Sequence, residues 1–403
     1  MSGSSNARRR VLLYVQHLLG IGHLQRTAIL ARACAAAGLD VTLVSGGYPV
    51  PDLPLGDARF VQLPPTVATD PSFKVLIDAD GRPVDDAWKA RRRDLLLELW
   101  RTFQPHALVI ELYPFGRRLM RFELLPLLEA AKAAVRRPVI VSSARDVLQD
   151  NEDNAARLQK MLEAFECYFD WALVHGDPTF IPFERTFPHA PRIAKHIAYT
   201  GYVVDDRSTE SASDTDAAGA GGDGSGEVLV SAGGGAFGGA VLETAIRTRA
   251  RTALADRLWR VRAGVSPTAA RIDELQALAA RSGTGRVIVE PNRPDFRRRL
   301  RHCALSISQA GYNTLLETLQ ANARAVMVPY VGRKETEQTL RARLLAERGA
   351  IDIVDEAALS VDALAAAVDR ALRRPRAEGL PIDMDGAARS AALLRQWTEA
   401  MTW

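Results

Sequence analysis

Four short runs combine residue types that bind and transform polar ligands. Gly20-Ile21-Gly22-His23-Leu24-Gln25-Arg26 follows an apolar run and opens a helical pattern. Gly20 and Gly22 allow a tight turn and close backbone approach, and a helix N-terminus favours anionic or polar groups. The same dipole disfavours an imidazolium, which suits His23 to general-base work; a histidine that only caps the helix fits these residues equally. Ser231-Ala232-Gly233-Gly234-Gly235-Ala236-Phe237-Gly238-Gly239 can turn successive N–H groups toward an anion. It lacks the Gly-Lys-Ser/Thr ending of a nucleotide-hydrolysing P-loop, so it reads as a cradle for a nucleotide phosphate or as a plain strand-to-helix turn.

In Ser308-Gln309-Ala310-Gly311-Tyr312-Asn313-Thr314-Leu315-Leu316-Glu317, Ser308 and Asn313 suit turn and cap positions. Glu317, about one turn into the helix, can accept both hydroxyls of a ribose or stand as a surface acid stabilised by the dipole. Pro329-Tyr330-Val331-Gly332-Arg333-Lys334-Glu335-Thr336-Glu337-Gln338 ends a strand and starts a helix. Glu337 and Gln338 can hydrogen-bond sugar hydroxyls, or form a solvated first turn. In the first half, Glu111 ends a strand and is followed by Arg117; Arg145 follows the next strand. Glu111 can be a general base, an acceptor-binding group or the partner of an arginine, and Arg117 or Arg145 can pair with it or meet an acidic acceptor. NAD binding is not supported, because Gln25 stands at the third glycine of the dinucleotide fingerprint and Ser45-Gly46-Gly47 replaces the acid after strand two. Asp78-Ala79-Asp80 has the form of a metal-binding triplet, but Gly81-Arg82-Pro83 follows and points to a solvated turn. No metal and no other cofactor is expected.

These runs sit at the ends of a regular alternation. Strands are predicted at 11–15, 41–45, 107–111, 139–142 and 172–175, then at 228–231, 258–262, 286–290, 305–308, 326–329 and 351–354. Helices are predicted at 24–37, 88–103, 119–135 and 152–165, then at 240–251, 268–280, 294–301, 314–321, 335–348 and 361–373. Apolar runs without alternation suit strands buried on both faces, and alternating β and α implies parallel sheets with crossover helices. Residues 205–226 are rich in Gly, Ser, Asp and Ala and nearly free of large apolar side chains, which reads as a flexible linker. The expected domains are 1–204 and 227–380, with a C-terminal helix in 381–403 able to pack on either one. The 403 residues are enough for two such domains.

Composition removes several classes. Fifty-two basic residues against 48 acidic ones leave a net charge of only +4 spread along the chain, which does not make a nucleic-acid face. Cys34, Cys167 and Cys303 have neither zinc spacing nor an even count, so no disulfide framework is expected. No apolar run reaches the ~18–20 residues of a membrane span, and the run at 11–15 is too short for a signal-peptide core, so a cytoplasmic chain is expected.

Together the four runs resemble the GT-B glycosyltransferases of the MurG type, family 28. The strand–GGG–helix, the GYNTLLE helix and the PY…EQ loop stand in the order of that family's donor domain, and GIGHLQR resembles its N-terminal glycine loop with its histidine. The resemblance implies two Rossmann-like domains facing a cleft: an N-terminal one for the acceptor and a C-terminal one for the donor. It implies that Glu317 binds the ribose of a nucleotide sugar, that Gln338 contacts the donor sugar with Glu337 beside it, and that Gly233, Gly234 and Gly235 face the pyrophosphate. Gly311 shapes the neighbouring loop, Asn313 and Thr314 join the donor set, and residues 289–296 lie by the base. Gly20, Gly22, Arg26, Arg117 and Arg145 fall on the acceptor side, and His23 or Glu111 is the base. The expected activity is hexosyl or N-acetylhexosaminyl transfer with inversion, from a UDP-sugar to a small-molecule, saccharide or lipid-linked acceptor. Peripheral contact with the inner membrane face fits the last of these. Where the family often has Asn-Ala, three residues after the glutamine, this chain has Arg341-Ala342. The Gly-x-Gly-His-x-x-Arg loop also occurs in nucleotide-sugar hydrolases, which would direct His23 at water. A nucleotide-sugar-binding protein without catalysis, or an epimerase, would use the same fold.

Overall fold

The computed structural model describes residues 8–18, 20–68, 75–148, 155–205, 224–232, 238–264, 267–283, 285–293, 295–331, 337–375 and 379–401. The chain divides into two compact units, Met1–Asp205 with Ile382–Trp403, and Asp206–Pro381.

In the first unit the elements run β1 (Arg10–Val15), α1 (Gly22–Ala36), β2 (Asp40–Ser45), β3 (Arg59–Gln62), β4 (Val67–Ala68), β5 (Leu76–Ile77), α2 (Asp86–Phe103) and β6 (Ala107–Glu111). They continue as α3 (Arg121–Ala133), β7 (Val139–Arg145), α4 (Ala155–Tyr168), β8 (Trp171–His175) and β9 (Ile197–Tyr199). Seven of the strands form a parallel sheet in the order β3-β2-β1-β6-β7-β8-β9. The period of two in a strand sends alternate side chains to opposite faces. Leu12 and Tyr14 of β1, with Leu108 and Ile110 of β6, belong to one buried cluster. Val11, Leu13, Val15, Ala107 and Val109 belong to another. Both faces are covered, which is why these strands read as unbroken apolar runs.

The second unit runs β10 (Val228–Ser231), α5 (Gly239–Thr248), β11 (Trp259–Arg262), α6 (Ala269–Arg281), β12 (Val287–Glu290), α7 (Phe296–His302) and β13 (Leu305–Gln309). It continues as α8 (Tyr312–Gln320), β14 (Ala325–Val328), α9 (Glu337–Glu347), β15 (Asp352–Ile353) and α10 (Val361–Arg373). Its six strands form a parallel sheet in the order β12-β11-β10-β13-β14-β15. The last helix, α11 (Gly386–Glu399), belongs to the first unit. Ala391 and Leu394 join Leu24, Ala28 and Ala31 of α1 in one cluster, and the Trp397 ring stacks on Trp171 at 4.8 Å. Gly386 lies so close to Gly201 that an added Cβ would sit 2.4 Å from the Gly201 carbonyl oxygen, which fixes where the returning chain docks.

Each sheet order reverses once: β1 is flanked by β2 and β6, and β10 by β11 and β13. In open parallel sheets a reversal of this kind opens a crevice at the carboxyl ends of the strands, and ligands bind there. The Gly20–His23 run leaves β1 and Glu111 ends β6, so both stand at the first reversal. The runs at 231–239 and 308–317 leave β10 and β13, at the second.

The alternation predicted from sequence lies on the observed elements, with three additions. β3 is an edge strand whose Arg59 and Phe60 are exposed, so it shows no apolar run. β9 has three residues, and β4 pairs with β5 as a two-residue hairpin; such lengths carry no periodic signal. At the ends of the expected linker, Asp205 bonds Arg32, and Gly226 donates its N–H to the His302 carbonyl. Residues 206–223 lie outside the described set.

Candidate functional site

At the first reversal, His23 occupies the first turn of α1, which no side chain caps. Its Nδ1 lies 2.5 Å from Glu111 Oε1, and Arg26, one turn further along α1, reaches the same oxygen at 2.5 Å. Glu111 is 1% exposed and Arg26 is fully buried, whereas the His23 side chain is 19% exposed. Arg117 Nε lies 4.0 Å from Glu111 Oε2. It is carried by a loop in which both Leu112 and Arg117 adopt the left-handed conformation, which is uncommon for residues other than glycine. Arg145 ends β7, next to His175 on β8 in the strand register.

The electrostatics assign the protons. Burial lowers the His23 pKa to about 3, and Arg145 and Arg117 push the same way against the pull of Glu111. Burial alone would raise Glu111, but His23, then Arg26 and Arg117, hold it well below the usual carboxylate range. The ground state is thus a neutral imidazole beside a carboxylate. A carboxylate only accepts, so Nδ1 carries the proton and Nε2 carries the lone pair. The sequence named His23 or Glu111 as alternatives; the structure joins them, with Glu111 behind the ring and His23 the more exposed of the two. Arg26 shares that oxygen with His23 but is closed off from solvent.

Around this pair lie groups that the sequence did not single out. His175 is fully buried between the Ser143 and Thr200 hydroxyls, at 2.8 and 2.9 Å, and burial lowers its pKa to about 3. His17 packs against Gly47, where an added Cβ would sit 2.2 Å from its ring. That contact explains the glycine after β2. Asp78 is committed elsewhere: its Oδ1 accepts from the Asp80 and Arg82 amides, closing the turn at Gly81.

At the second reversal, Gly233, Gly234 and Gly235 lie outside the described residues. Gly238 is described with φ +121°, and a Cβ there would sit 2.7 Å from Ala232. Gly311 precedes α8 as its N-cap residue with an ordinary φ of −63°, and a Cβ on it would meet nothing within 4 Å. Neither strain nor packing requires that glycine, and the space beside it is open. Asn313 is half-buried and Thr314 buried in the first turn. Glu317 lies 3.8 Å from Arg297 of α7. On α9, Glu337 is buried and pairs with Arg341 at 3.0 Å. Gln338 accepts through Oε1 from the Tyr330 N–H at 3.2 Å, which makes Nε2 the donor end of its amide.

Residues 276–392 match the model of the glycosyltransferase family 28 C-terminal domain. This part of the chain is similar to that domain. The match begins within α6, takes in the runs at 308–317 and 329–338, and ends within α11. The UDP-N-acetylglucosamine–N-acetylmuramyl-(pentapeptide) pyrophosphoryl-undecaprenol N-acetylglucosamine transferase of Rhodospirillum centenum is 33% identical over 120 residues, 29% of this chain and 31% of that relative. The chain thus aligns with under a third of its relative's length. The crystal structure of Acinetobacter baumannii MurG is similar over 98% of this chain and all of that one, with a TM-score of 0.56 at 15% identity. The UDP-GlcNAc 2-epimerase of Methanocaldococcus jannaschii is similar over 97% of this chain and all of that one, with a TM-score of 0.62 at 9% identity. At these identities the likeness shows the fold, which is GT-B: two parallel-sheet α/β units with a C-terminal helix. Among the described residues no helix is long and apolar enough to cross a membrane.

Proposed function

We propose that this protein transfers a sugar from a nucleotide sugar, with UDP-sugars first in line, to a hydroxyl of an acceptor held by the first unit. The observation that carries this reading is the His23–Glu111 contact of 2.5 Å, which leaves a neutral, partly exposed imidazole with its lone pair on Nε2, the nitrogen that does not face Glu111. Nε2 takes the proton of the acceptor hydroxyl, and Glu111 stabilises the imidazolium that forms. The acceptor oxygen bonds the anomeric carbon, and the bond from that carbon to the nucleoside diphosphate breaks with its electron pair on the leaving phosphate. From an α-linked donor, direct displacement inverts the configuration.

The second unit binds the donor in this reading. Glu317 accepts the ribose hydroxyls, the glycines after β10 and the start of α8 meet the diphosphate, and Gln338 donates to a sugar hydroxyl. No metal is assigned a role, because the Asp78 carboxylate is bound into its own turn. Arg117 and Arg145 favour an acceptor that carries negative charge, in keeping with the pyrophosphoryl lipid named for the Rhodospirillum relative. An acceptor of that kind would bring the protein to a membrane surface.

A thermal-shift panel of UDP, GDP, TDP and their sugars tests the donor assignment. Stabilisation by UDP and a UDP-sugar is expected from mass action, and a flat response to all of them overturns the reading. The same His23 can activate water instead. Free sugar released at full rate without any acceptor would make the protein a hydrolase.

A further inference from the structure

Arg341 stands where the family pattern has a neutral asparagine, and its surroundings show what it does. It is 1% exposed. Its Nη1 lies 3.0 Å from Glu337 Oε1, one turn back on α9, and its guanidinium lies 5.0 Å from the centroid of the Tyr312 ring. Tyr312 is the first residue of α8, Glu337 the first of α9, and Gln338 follows directly. One buried cation thus ties the first turn of α9 to the first turn of α8. A buried carboxylate without a partner carries a heavy desolvation cost, so Glu337 and Arg341 form a matched pair.

We infer that Arg341 is a positioning residue for the donor sugar: through Glu337 and Tyr312 it fixes Gln338, on α9, relative to Glu317, on α8. The inference rests on the donor reading above. It gives Glu337 Oε1 to Arg341 and makes Gln338 the principal contact to the sugar. With its charge matched by Glu337, Arg341 does not select an acidic sugar, and a neutral hexose or N-acetylhexosamine is the class of donor expected.

The test compares binding of UDP with binding of UDP-N-acetylglucosamine by calorimetry. Arg341→Asn is expected to lower the affinity for the sugar nucleotide about tenfold relative to that for UDP, as loss of an aligned buried contact does, while the affinity for UDP stays within about twofold. Arg341→Lys keeps the charge and restores part of the difference. The double variant Glu337→Gln with Arg341→Asn, which leaves no lone buried charge, loses less than Arg341→Asn alone. An unchanged ratio between the two ligands overturns the proposal, and so does an equal loss for both, which marks a packing role only. Wild-type protein that binds neither ligand strikes down the donor reading and the proposal with it. Wild-type protein that binds UDP but gains nothing from the sugar overturns the proposal alone.

Discussion

Glu111 ends β6, beside β1 at the first reversal, and Glu290 ends β12, the edge strand of the second sheet. Each is the last residue of a strand, each is buried, and each is met by arginines. Around Glu290 the charges close on themselves. Arg260 bridges Glu290 and Glu227, Arg299 bridges Glu227 and Asp295, and Arg262 bridges Asp295 and Glu290, over distances of 2.6 to 3.1 Å. Three guanidinium groups and three carboxylates form a ring that braces the segment between β12 and α7, and the exposed Arg293 also reaches Glu290, at 3.3 Å. Around Glu111 the balance is different. Burial lowers the Arg117 pKa, and among its neighbours Arg145 and Arg26 oppose the pull of Glu111. His23 adds a neutral ring rather than another charge. The two arrangements use the same residue types for different ends. The ring meets each of its carboxylates with at least two arginines and holds a loop in place. The cluster at Glu111 gathers three arginines around one carboxylate and sets a partly exposed neutral imidazole against it.

If that contrast holds, the largest effect belongs to His23. His23→Ala is expected to lower turnover by about 10²–10⁴-fold, the usual contribution of a general base, with nucleotide affinity unchanged. Steady-state kinetics beside calorimetry will show it, and unchanged turnover removes the residue as the base. Next comes the ring. Arg262→Met leaves Asp295 and Glu290 each short of a buried partner and should cost about 3–5 kcal/mol in urea unfolding. A cost near zero would mean that the ring is not closed.

The remaining effects are in pH. Four histidines of the first unit are held neutral by burial, His23 and His175 at about 3 and His17 and His106 at about 4. Unfolded, each would titrate near 6.5, so between those limits the unfolded chain binds more protons than the folded one. The stability tied to them is complete above about pH 6.5 and is lost as pH falls toward 4. In the second unit a lowered carboxyl is that of Asp295, held down by Arg299 and Arg262 against burial, so its share is present above about pH 3.9 and is lost only below that. Amide exchange followed from pH 7 to 4 should show the first unit loosening first; equal loosening of both units would remove the contrast. Turnover should likewise show no acid limb near pH 6.5, since His23 is already neutral there.

The sequence reading reached the elements more fully than the contacts between them. Runs such as Val11-Leu12-Leu13-Tyr14-Val15 announce a strand buried on both faces, and the motifs at positions 20–26 and 308–317 sit where such strands end. His23 and Glu111 could each be named, but 88 residues separate them, and nothing in the chain states that the two side chains meet. The ring in the second unit was invisible for the same reason, since its partners come from β11, β12, α7 and the residues just before α7 and β10. The terminal helix showed its apolar face but not its partner, because Leu394 and Trp397 would suit any apolar surface; Trp171 and α1 supply it. Arg341 was legible only as a departure from a pattern, and its reason lies in Glu337 and Tyr312.

The central claim is a division of labour, with the base in the first unit and the nucleotide in the second. Calorimetric titration of UDP into wild-type protein, Glu317→Ala and His23→Ala tests it most directly. The account predicts that Glu317→Ala weakens UDP binding by about tenfold or more, the loss expected when charge-assisted hydrogen bonds to the ribose go, while His23→Ala binds UDP as wild type does. Unchanged affinity in Glu317→Ala, or an equal loss in His23→Ala, would contradict it.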